Sequence, residues 1–68
     1  MLKGKNEIKY KTLRAQRVIN DMSLEDMAGM LKVSTKTYWN KEAGLTPFTV
    51  DEAKLVCQVF RQSFEYLF

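Results

Sequence analysis

Between residues 33 and 44 the chain reads VSTKTYWNKEAG. Beside Tyr38, Trp39 and Glu42, its polar side chains are hydroxyls, one amide and two ammonium groups: Ser34, Thr35, Lys36, Thr37, Asn40 and Lys41. None is a nucleophile beside a base. All are hydrogen-bonding groups suited to reading the polar edges of a partner. An Asn amide can bond adenine at two points, a Thr methyl can pack on the methyl of thymine, and a Lys ammonium can donate to guanine or phosphate. Such chemistry needs a rigid element that turns these side chains outward. The rest of the chain must supply it.

Composition narrows the function classes. There are 68 residues, enough for one domain over 1–68 with a limited core. The chain has no histidine and a single cysteine, Cys57. That removes an internal disulfide, Ser-His and Cys-His nucleophile pairs, and the usual zinc sites. There is no Gly-rich phosphate loop. We expect no catalytic residue, metal, cofactor or small-molecule ligand, and not an enzyme. No apolar run approaches membrane-spanning length, and MLKGKNEIKYK lacks the apolar stretch of a secretory signal. The expected location is the cytoplasm, at the nucleoid.

The net charge of +3 is modest, but it is unevenly spread. Residues 1–20 carry six bases (Lys3, Lys5, Lys9, Lys11, Arg14, Arg17) against Glu7 alone. Residues 42–68 carry two bases against four acids. A basic front, with residues 1–10 as an arm, suits a polyanion approached from one side. A solvated lysine-rich arm would have the same composition.

Five short helices are expected and no sheet, although Ile8 to Tyr10 could be extended. The first runs from about Lys11 to Asn20, with Leu13 as core and Ala15, Val18 and Ile19 as further candidates; Asn20-Asp21 breaks it. Ser23, with Asp26 three residues later, forms a capping box for the second. Leu24, Met27, Ala28 and Leu31 then share one face. Ser34 caps a third helix from Thr35 to about Ala43, and Gly44 ends it in a left-handed conformation. Pro47 bars a helix immediately before it. Thr49 and Glu52 form a second capping box. Val50, Ala53, Val56, Cys57 and Phe60 give the fourth helix a broad buried face. Ser63 caps a last short helix, with Phe64 and Leu67 as core; Tyr66 and Phe68 fit either core or a dimer surface.

The second and third helices are joined by only two or three residues, which forces a sharp angle between them. The third has a weak apolar stripe, so most of its surface is free of the core. In a helix-turn-helix, such a second helix lies in the major groove of DNA.

Leu24 to Ala43 resembles the helix-turn-helix of Cro/repressor-type (XRE family) regulators of phages and bacteria. The resemblance extends over roughly Leu13 to Phe68, through Leu13, Arg17, Ser23, Met27-Ala28, Leu31, Val33-Ser34, Thr37, Tyr38, Glu42, Gly44 and the tail from Phe48-Thr49 to Phe64-Glu65-Tyr66-Leu67-Phe68. TYWNKEAG resembles the same region of small phage-derived regulators of Gram-positive bacteria. The resemblance implies an all-α, five-helix, lambda-repressor-like domain, dimeric on an operator with two-fold symmetry. It implies base contacts from Thr35, Lys36 and Asn40. Phosphate or edge contacts would come from Ser34, Thr37, Trp39, Lys41, Ser23 and Lys11. It also implies close approach of the second and third helices at Ala28 and a structural ion pair between Arg17 and Glu42.

Three positions depart from the family pattern. Leu24 replaces a Gln that commonly touches the DNA backbone. Lys32 stands where the turn usually has Gly, at roughly 1 kcal/mol if the backbone is left-handed. Lys41 replaces a residue that is commonly apolar; its stem could cover core atoms while its charge reaches solvent.

Trp39 follows core-facing Tyr38 and so points about 100° away. It should be partly exposed, beside the DNA-facing surface or at a partner. The function expected is a sequence-specific DNA-binding transcriptional regulator, most simply a repressor. At this length it could be a complete regulator controlled by concentration, a partner or proteolysis. The alternative is a protein-interaction module, an antirepressor or adaptor, using Trp39 and the face of the third helix.

Overall fold

Each helix starts where a hydroxyl side chain takes over an otherwise unbonded backbone N–H, with one exception. A computed structural model describes residues 9–68. Within them lie α1 (Lys11–Ile19), α2 (Leu24–Leu31), α3 (Thr35–Ala43), α4 (Val50–Phe60) and α5 (Phe64–Leu67), with no strand among the described residues. Lys3, Lys5 and most of the basic arm lie outside the described residues. Ser23, Ser34, Thr49 and Ser63 cap α2 to α5, each accepting the N–H three residues on. Ser23–Asp26 and Thr49–Glu52 close both halves of a capping box. Tyr10 precedes α1 with no side-chain cap.

The ends are equally local. Lys32, Arg61 and Gly44 are left-handed, with φ of 60°, 54° and 87°. Only Gly44 has a steric reason to lack a side chain. The Lys9 backbone N–H donates to the Ala43 carbonyl at 3.2 Å, which lays the Lys9 side chain over the glycine. A Cβ on Gly44 would sit 2.5 Å from the Lys9 Cβ.

The buried cluster is Leu13, Met27, Ala28, Leu31, Tyr38, Val56, Phe60 and Leu67. Every helix contributes, α2 with three residues and the others with one or two, and α2 with α3 is the most extensively packed pair. Beside it, Tyr10, Phe48 and Phe68 form an edge-on aromatic triangle with ring centres 5.1–5.8 Å apart. Tyr38 extends it toward α3. Phe68 is thus a packing residue, whereas Tyr66 is half-exposed.

Several expected core positions face outward. Ala15, Val18 and Ile19 are exposed, because α1 buries only the side bearing Leu13 and Arg17, and these three lie roughly opposite. Val50 and Phe64 are exposed and Cys57 is half-buried. Val50 is the first residue of α4 and Phe64 the first of α5. With Ala53 and Cys57 they line one open, largely apolar groove between α4 and α5.

The two helical glycine contexts predict opposite effects. Gly44→Ala should destabilise the fold by at least about 1–2 kcal/mol, from left-handed strain and contact with Lys9. Gly29→Ala, inside α2 with nothing within 4 Å of the new methyl, should stabilise it by about 0.5–1 kcal/mol. Urea unfolding of the two variants checks the sign difference.

Candidate nucleic-acid interface

α3 has little apolar surface, so polar anchors must hold it in place. Tyr38, Lys41 and Glu42 are its buried residues. They lie along one side of the helix at i, i+3 and i+4. Glu42 accepts Arg17 Nε at 2.8 Å on Oε2 and Arg17 Nη2 at 3.2 Å on Oε1. The Tyr38 hydroxyl donates to the same Oε2 at 2.8 Å. Arg17 also donates through Nη1 to the Met22 carbonyl at 2.9 Å. One guanidinium therefore joins α1, the loop before α2, and the end of α3. Burial, reinforced by the Glu42 carboxylate, pushes the Tyr38 phenol far above its ordinary range, so it remains a donor.

Lys41 corrects a reading from the sequence. Its charge does not reach solvent. The ammonium folds inward, donating to the Pro47 carbonyl at 3.0 Å and pairing with Glu52 Oε1 at 2.9 Å. The residue is 9% exposed. This removes its charge from the outer surface of α3, where a phosphate contact had been expected. Burial tends to raise the Glu52 carboxyl. The Lys41 ammonium and the Thr49 N–H outweigh it and hold Glu52 below its usual range.

With that side pinned, the other side of α3 is determined. Thr35, Lys36 and Trp39 are exposed and Asn40 is half-exposed. The side chains of these four make no hydrogen bond within the described residues. Trp39 is 43% exposed, as its offset from buried Tyr38 requires. One turn after Thr35 and one turn before Ala43, it lies between Thr35 and Lys36 around the helix axis. The i, i+4 spacing of Thr35, Trp39 and Ala43 was the signal in the sequence for this placement.

The remaining expected contacts sit at helix starts. Ser34 Oγ accepts the Thr37 N–H at 3.0 Å and donates to Thr37 Oγ1 at 2.8 Å. The Thr37 hydroxyl proton is left to donate outward. Ser23 is exposed at the start of α2, and Lys11 is exposed at the start of α1. Lys32, Val33 and Ser34 alone separate α2 from α3, and the Val33 N–H returns to the Ala28 carbonyl at 3.0 Å. Ala28, 3% exposed, lies at this junction. Leu24 packs partly against the core and offers no hydrogen bond to a backbone. Among the described residues no His, Cys, Asp and Glu group could hold a metal, and no helix is long and apolar enough to cross a membrane.

No family model, no curated protein and no solved structure matches this chain.

Both anchors can be tested in the isolated protein. Glu42→Ala leaves Arg17 and Tyr38 without their acceptor and should cost about 3–5 kcal/mol in urea unfolding. The pair Arg17→Met/Glu42→Leu, which leaves no buried charge behind, should lie closer to wild type. Glu52 is held below its ordinary value of 4.5. Its stabilisation is therefore full above that pH and is lost as pH falls through the lower folded value. Melting curves should show a wild-type advantage over Glu52→Gln at pH 7 that narrows as the pH falls below 4.5. No advantage at pH 7 would count against the Lys41–Glu52 link.

Proposed function

We propose that this chain is a sequence-specific DNA-binding transcriptional regulator that inserts α3 into the major groove of operator DNA. The observation that carries the reading is the division of α3. One side is pinned by Tyr38, Lys41 and Glu42, while Thr35, Lys36 and Asn40 are turned outward with no side-chain partner among the described residues. A helix held this firmly by polar contacts, yet presenting unsatisfied polar groups, is suited to base readout. The three-residue connection to α2 and the capped starts of α2 and α3 supply the usual framework for it. Ser23, Ser34, Thr37 and Lys11 are placed for phosphate contacts, and the base excess toward the N-terminus adds attraction. Binding as a homodimer to a two-fold symmetric site, with repression by occupancy, completes the proposal. It agrees with the resemblance to Cro/repressor-type regulators.

One observation favours a second reading. An exposed tryptophan on the outward surface of α3 also suits a protein partner, because aromatic anchors dominate protein interfaces. An antirepressor or adaptor on the same scaffold would use it so.

Selection from a random duplex library at physiological salt separates the two. A regulator should enrich a palindrome whose half-sites lie one or more helical turns apart. Thr35→Ala/Asn40→Ala should keep the helical circular dichroism and lose preference at about two positions per half-site, each worth about 1–3 kcal/mol. Weak, steeply salt-dependent retention without enrichment would instead leave the adaptor reading.

A further inference from the structure

We infer that Trp39 is itself a base-reading side chain and that it selects thymine; this rests on the DNA-binding reading above. Trp39 lies about 40° around α3 from Thr35 on one turn and from Ala43 on the next. Lys36 and Asn40 lie beyond it on the same outward side. α3 cannot roll to hide the indole. Tyr38 and Glu42 are tied to Arg17, and Lys41 is tied to Glu52 and Pro47 on the opposite side. Any duplex that meets Thr35, Lys36 and Asn40 therefore meets the indole in the same groove.

The chemistry of the indole then narrows the base. It presents a broad apolar ring and one N–H, a donor with no acceptor. Cytosine shows an amine donor in the major groove, which a donor cannot satisfy. Adenine shows an acceptor beside a donor. Guanine shows two acceptors and no apolar group. Thymine alone sets an apolar methyl beside a carbonyl acceptor. The indole matches that pair: ring against methyl, N–H toward O4. A phosphate would leave the ring facing charge and water, with no gain from its exposed apolar surface. With Asn40 suited to adenine, the element read by α3 is an A·T-rich half-site.

The test uses the full chain and the duplex it selects. Each thymine in one half-site is replaced singly by deoxyuridine, which removes the methyl and keeps the pairing. Affinities are measured for the wild type, Trp39→Ala and Trp39→Phe, with circular dichroism as the check on folding. At one thymine the replacement should weaken wild-type binding about fourfold, the worth of one buried methyl. Trp39→Ala should show no such loss there, and Trp39→Phe, which keeps an apolar ring, should retain it. Its own selection by Trp39→Ala should relax at that base pair alone. Equal sensitivity of wild type and Trp39→Ala at every thymine, on a site both still bind, would overturn the assignment and leave the regulator reading standing. Failure of the wild type to enrich any duplex would remove both, with Trp39 then assigned to a protein partner.

Discussion

A carboxylate that is 2% exposed must be fully compensated, and the compensation of Glu42 organises this protein. Arg17 meets it with two donors and Tyr38 with a third. Because Arg17 also holds the Met22 carbonyl, the same charge fixes the path from α1 into α2. Three helices are positioned by one ion pair. In a domain of 68 residues the apolar core is small, so a directional network of this kind decides register where apolar packing alone would permit sliding. No buried side-chain nitrogen or oxygen is left without a partner among the described residues.

Lys41 repeats the strategy at the far side of α3. The residue is buried and its ammonium reaches the N-terminal capping box of α4. Glu52 thereby serves two elements, closing the first turn of α4 and receiving α3. The loop between them, with Phe48 against Tyr38 and Tyr10, fills the space that the two charges leave. The polar character of α3 is thus divided in use. Some of its polar residues are internal struts, and only the remainder can meet a partner.

That division explains what could be read in advance. The caps at Ser23, Ser34, Thr49 and Ser63 were legible because each depends on a hydroxyl and an N–H three residues apart. The left-handed stop at Gly44 was legible for a similar reason. Leu13, Leu31 and Leu67 were legible as core from the helical pattern, and Tyr38 from the resemblance. Val50 and Phe64 were not, because an apolar residue at the start of a helix is buried only if another element covers it. The same holds for Val18 and Ile19 on α1. The inward turn of Lys41 was also hidden, since its partners, Pro47 and Glu52, lie in segments whose approach depends on the α3–α4 loop.

Local sequence was enough for the helical type of the chain, the starts of α2 to α5 and the end of α3, because hydroxyl caps, glycine and i, i+3, i+4 spacing act within a few residues. It also determined which groups could read a partner, since side-chain type sets hydrogen-bonding capacity. Tertiary structure alone decided which of those groups are offered outward. Arg17 and Glu42 are 25 residues apart in the chain, and only folding brings them within 2.8 Å. That long-range pairing, with the Lys41–Glu52 link, fixes the roll of α3 about its axis. The roll of α3 is what turns Trp39 outward between Thr35 and Lys36 and puts Lys41 inside.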